Sequence, residues 1–208
     1  MFKQLSLLTL TLITTSSFAA TLQYQPFVDL GIGQTTVKNF CDGLEDASVS
    51  CDDKDTTFRI GGGLMFNDNI SAELTYLNFG KATIAGSLPG ILTAQGEAKI
   101  SAIALQVGAY APLNPQFSVY GKLGPAVVDG EFTTQVVDYT GNFGSENTKE
   151  SDSQVEALFT VGASYQFSPA LSANLQLDYI PQVGDDDEEE GSDQIDLQTF
   201  TLGLKYKF

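Results

Sequence analysis

The chain closes with Phe200-Thr-Leu-Gly-Leu-Lys-Tyr-Lys-Phe208, a stretch that sets Phe200, Leu202, Leu204, Tyr206 and Phe208 against Thr201, Gly203, Lys205 and Lys207. Strict alternation over nine residues is the pattern of a β-strand with one apolar face and one polar or small face. The alternation runs without a break to Phe208. Such a strand needs either a second sheet over it or a solvent other than water.

Seven further segments upstream repeat the period. They are expected at about 22–34, 56–66, 70–79, 98–111, 117–127, 154–167 and 171–179, with the eighth running from about Asp193 to Phe208. In the segment 154–167, for example, Val155, Ala157, Phe159, Val161, Ala163 and Tyr165 oppose Glu156, Thr160, Gly162 and Ser164. Asn67-Asp68-Asn69, Pro112-Leu-Asn-Pro115 and Ser168-Pro169-Ala170 supply tight turns after the second, fourth and sixth segments. The other connections, about 35–55, 80–97, 128–153 and 181–192, are longer.

Short turns on one rim and long loops on the other characterise a transmembrane β-barrel. Hydrocarbon satisfies no open strand edge, so a spanning sheet must close and its outer face must be apolar. The expected fold is therefore an all-β, eight-stranded antiparallel transmembrane barrel with short periplasmic turns and four longer external loops.

The same alternation directs Asp29, Arg59, Glu73, Lys122, Glu156, Asp178, Lys205 and Lys207 to the inside, among many glycines. An eight-stranded lumen is just wide enough to be filled by side chains. Charges buried there need partners, and Asp29–Lys205 and Glu73–Lys122 are the expected pairs. A plug of ion pairs is the structural reading; a filter lining a conducting pore is the functional one.

Residues 1–20, with Lys3, the apolar run Leu5–Ile13 and the small-residue site Ser17-Phe18-Ala19, read as an export signal, leaving 21–208 as the barrel domain. In an exported chain Cys41 and Cys51, ten residues apart, read as a disulfide. Ten basic against 26 acidic residues give a formal charge of −16, which disfavours nucleic acid as a partner. Asp185–Glu190, six consecutive acidic residues with Asp193 and Asp196 beyond, reads as a hydrated surface run that attracts divalent cations or a basic protein. The absence of histidine removes the usual general base, so no enzymatic activity, cofactor or catalytic residue is expected.

With FSVYGKLGPAVV at 117–128, LSANLQLDYIP at 171–181 and the terminal LGLKYKF, the chain resembles the small eight-stranded outer-membrane proteins of Gram-negative bacteria. These include the barrel domain of outer-membrane protein A and the opacity-like proteins. The resemblance implies the outer membrane as location and contact with its lipid and lipopolysaccharide. It also implies that Tyr206 and Phe208 belong to the signal read by the barrel assembly machinery. A role in envelope integrity or adhesion through acidic external loops follows as the expectation. A low-conductance channel and a soluble, lipocalin-like periplasmic barrel are the alternatives.

Overall fold

The computed structural model describes residues 24–41, 49–88, 92–138, 146–183 and 195–208. The expected export signal, the acidic run 185–190 with Asp193, and residues 42–48 between the cysteines lie outside the described residues. The strands are β1 (Gln25–Lys38), β2 (Val49–Asp52), β3 (Lys54–Met65), β4 (Ile70–Leu88), β5 (Leu92–Pro112), β6 (Phe117–Asp138), β7 (Glu146–Gln166), β8 (Leu171–Val183) and β9 (Ile195–Lys207). Every ladder is antiparallel, and the β4–β5 and β1–β9 pairings close eight of them into a barrel. The ninth, β2, is a short addition that lies along the upper part of β4.

Three tight turns share one rim, and side chains build them. Asn67 Oδ1 accepts from the Asn69 and Ile70 amides at 2.8 and 2.9 Å, and Asn114 Oδ1 accepts from Gln116 and Phe117 at 2.9 and 2.8 Å. Ser168 Oγ takes the Leu171 amide at 3.1 Å. These are the local side-chain bonds that favour Asn and Ser in turns. At the same rim the Phe208 amide donates to the Pro26 carbonyl at 2.9 Å, and the Lys207 amide to Ala170 at 2.7 Å. Pro26 marks the foot of β1, where its missing N–H is least costly.

An apolar belt encircles the outside. Leu30, Phe58, Leu74, Leu105, Leu123, Val161, Leu175 and Leu202 all stand exposed on it. A contiguous exposed apolar surface of this size, on a closed sheet, suits hydrocarbon and not water. The belt overturns the soluble lipocalin-like alternative, which would keep large apolar residues inside. Rings pair near the lower rim, Tyr165 with Phe167 at 5.2 Å and Tyr206 with Phe208 at 5.1 Å between centroids, as expected of an interfacial girdle.

Two of the expected long loops are mostly strand. The β4–β5 ladder continues to Leu88↔Leu92, and the β6–β7 ladder to Val136↔Glu146. At 22 residues β6 is about twice the length needed to cross a bilayer, so these hairpins stand clear of the membrane by roughly 35 Å measured along the strand. The alternation persists there, but its outward positions change from Ile103, Val127 and Val155 to Lys99, Glu131 and Ser151. Loss of outward apolar residues reads as a loop in sequence, although the ladder simply passes into water.

Two local irregularities shape the upper wall. A bulge between Asn78 and Gly80 follows inward Phe79 and reverses the parity beyond it, so that Lys81 faces out and Ala82 in. Gly80 has φ +78°, and its amide is held by Asn78 Oδ1 at 2.9 Å. Farther round, the β7–β8 ladder spans only Phe159↔Tyr179 to Gln166↔Ser172. Pro181, which has no amide to donate, lies just above the last pair.

Candidate functional site

The described interior is built in layers. At the foot, Phe27, Met65, Tyr110 and Tyr120 form a small buried cluster, with the two tyrosine rings 5.0 Å apart. Phe27, a large residue among the small inward positions of β1, belongs to this cluster. Lys205 Nζ lies 4.3 Å over the Phe27 ring and donates to Tyr110 Oη at 2.9 Å.

Above it stands the ion network. Glu73 Oε1 receives Arg59 Nη2 and Lys122 Nζ, each at 2.6 Å, and Arg59 Nη1 lies 3.3 Å from Asp29 Oδ1. Asn174 donates to the other Asp29 oxygen at 2.8 Å. Asp178 accepts from Thr160 at 2.5 Å and Gln176 at 2.8 Å. Asp29, Glu73 and Asp178 are thus buried with Arg59, Lys122 and Lys205, three charges of each sign. Balance of this kind offsets the several kcal/mol per ion that desolvation costs. The gap between Asp29, Arg59, Asn174 and Gln176 has no room for a water molecule.

The structure pairs Glu73 with Lys122, but it does not pair Asp29 with Lys205. Those two face each other across the β1–β9 ladder, yet Asp29 turns to Arg59 and Lys205 to the aromatic cluster. A planar guanidinium suits the enclosed position bridging Asp29 and Glu73, while an ammonium sits well over ring faces. Glu156 is only half-buried and makes no ion pair among the described residues. Lys207, also half-buried, stays near the lower rim.

Higher still, the interior turns apolar, a layer that the expected plug of ion pairs does not include. Leu77, Phe79, Ala102, Ala104, Ala126, Val128, Leu158, Ile180 and Leu197 pack into one buried apolar cluster. Thr35, Thr57 and Thr199 adjoin this upper part of the barrel, with the Thr35 hydroxyl hydrogen-bonded to each of the other two. A signal for this layer exists in Tyr76-Leu77, Ala157-Leu158-Phe159 and Tyr179-Ile180, where successive apolar residues mark strand stretches buried on both faces. Alternation alone hides it.

Cys41 and Cys51 are joined, with sulfurs 2.02 Å apart, at the point where β1 leads towards β2. On the outer face of the raised hairpins, Glu97 holds Lys81 at 3.0 Å and Lys99 at 2.9 Å. Their hydrogen bonds lower the Glu97 carboxyl below its ordinary value of 4.5. Asp196 accepts from Tyr179 Oη at 3.0 Å. Among the described residues no group of three or more acidic or cysteine side chains is placed to hold a metal ion.

The model of the outer membrane protein beta-barrel domain matches residues 5–208. The chain belongs to this family. It is an outer-membrane barrel, and the apolar belt, closed sheet and short-turn rim are the physical form of that membership. No curated protein matches it in sequence. Similar solved structures include Ail, the attachment invasion locus protein of Yersinia pestis, with a TM-score of 0.53 and 17% identity over 89% of this chain and 99% of that one. Neisserial surface protein A scores 0.52 at 12% identity, covering 89% and 97%. OprG from Pseudomonas aeruginosa scores 0.51 at 16%, covering 88% and 96%. At such identities the likeness concerns the fold.

Proposed function

We propose that this outer-membrane barrel is a non-conducting, non-enzymatic surface protein that works by contact, in adhesion or envelope integrity, and that its acidic external part selects basic protein partners. The observation that carries this reading is the contrast between a filled lumen and raised hairpins. The interior is occupied by an ion network below and an apolar cluster above. Two ladders meanwhile continue well beyond the apolar belt. A pore would invest its polar residues in a water path, whereas a contact protein needs a rigid platform above the membrane.

Charge decides the kind of partner. Ail has been crystallised with a heparin analogue, sucrose octasulfate, a polyanion. This chain carries 26 acidic residues against 10 basic, and its raised lysines Lys81, Lys99 and Lys149 are tied to Glu97 and Glu131. Complementarity therefore favours a cationic surface. The test is adhesion of bacteria displaying the protein to surfaces coated with a lysine-rich protein or with heparin. Attachment to the basic coat, abolished when residues 185–190 are replaced by serine and glycine, is the expected result. Equal or stronger attachment to heparin would sink the reading.

A further inference from the structure

The apolar cluster of the upper lumen is open at its top. It forms the floor of a cavity of about 800 Å³ at the mouth of the barrel, within the range of pockets that take small organic molecules. Ile100, Val128 and Val183 make the floor, and Ala98, Phe40 and Phe132 rise from it as walls. Phe132 remains 43% exposed although its neighbours on the same face of β6, Val128 and Gly130, line the same space. Contact with a ligand would cover this ring.

The lip of the cavity is acidic. Glu150 and Asp152 follow Gln154 on the inward-facing alternation of β7, and all three line the cavity. Neither carboxylate has an ion-pair partner among the described residues. The nearby ammonium groups of Lys99 and Lys149 are engaged on the outer face by Glu97 and Glu131. An apolar bowl with two unneutralised carboxylates at its edge repels fatty acids and other anionic amphiphiles. It also lacks the converging oxygens that a bare metal ion needs.

We propose that the mouth of the barrel is a binding site for a small lipophilic cation, with its apolar body on Ile100, Val128 and Phe132 and its positive charge at Glu150 and Asp152. The ligand does not pass onward, because wholly buried Leu77, Leu158 and Leu197 close the lumen beneath it. The site is separate from the protein-contact surface proposed above, and either can fail without the other.

Tetraphenylphosphonium and tetraphenylborate provide the test, being nearly the same shape with opposite charge. Binding is measured by calorimetry on the full barrel in nanodiscs of zwitterionic lipid, with empty discs subtracted. The phosphonium is expected to bind saturably, one per barrel, and the borate not to. The double variant Glu150→Gln/Asp152→Asn should weaken the phosphonium by about tenfold or more, as loss of a close charge contact implies. Asp129→Asn, which removes a charge from the outer face of β6, should change it by less than about twofold. Ala98→Phe, which fills the bowl, should abolish binding while an unheated gel shift confirms the folded barrel. Equal binding of the borate, no saturable binding above empty discs, or indifference to both Ala98→Phe and the double variant would overturn the proposal.

Discussion

Glu73 is the residue on which the ion network turns, since one of its oxygens receives both Arg59 and Lys122. Removing its charge leaves two buried cations facing each other, while removing Lys122 leaves Glu73 still paired with Arg59. Glu73→Gln is therefore expected to lower the unfolding free energy by about 3–5 kcal/mol, and Lys122→Met by clearly less. Urea titration of the barrel in lipid, followed by far-ultraviolet circular dichroism, measures both. A Glu73→Gln barrel within about 1 kcal/mol of the wild type would show that the network contributes little. Which charges point inward was legible from alternation, because parity follows directly from the strand period. The partner choice of Asp29 was not: it depends on how far a guanidinium reaches across the lumen and on the tyrosines that draw Lys205 aside, and neither is written in spacing.

Among the elements, the β5–β6 ladder carries its own requirement. Its pairing lapses, with the register unchanged, between Ala104↔Ala126 and Val107↔Leu123, where Leu105-Gln106 faces Gly124-Pro125. A Cβ on Gly124 would collide with the Leu105 carbonyl and the Gln106 backbone. Gly124→Ala should accordingly reduce the refolded fraction seen as the fast-migrating band on unheated gels, whereas the same change at Gly130, where a Cβ meets nothing nearer than 4.0 Å, should not. The raised β4–β5 hairpin is expected to respond to acid. Because Lys99 and Lys81 hold the folded Glu97 below 4.5, its stabilisation is complete above that value and is lost as pH falls through the lower folded value. Amide protection at Thr83 and Gly96 should then decline as pH falls below about 4.5, and Glu97→Gln should flatten the response. The sequence announced all eight barrel strands but stopped the four of the raised hairpins well short and β1 and β8 by four residues each. Apolar content, which marks a strand in lipid, is not what holds a ladder together in water, and the Gly80 bulge broke the alternation just where β4 continues.

At the scale of the molecule, the lumen is a stack of unlike layers: aromatic foot, neutralised ion network, apolar seal. An ion entering from outside would have to cross the apolar cluster without compensation. Folded wild-type protein in a planar bilayer should therefore be silent, and reproducible openings would contradict the contact role. The most far-reaching consequence of the architecture lies in how the ring is shut. β1 finds its second neighbour in β9, through twelve residue pairs from Phe27↔Lys207 to Lys38↔Asp196. During delivery of the chain the edge of β1 thus waits unsatisfied until nearly everything else has arrived. Pairings this distant in sequence are slow to form, and a waiting edge invites the wrong neighbour. Closure of this barrel is consequently a late event, whereas the other barrel ladders join barrel strands that are neighbours along the chain. Damage to β9 should leave an unclosed, escort-dependent chain and not a barrel with one frayed strand.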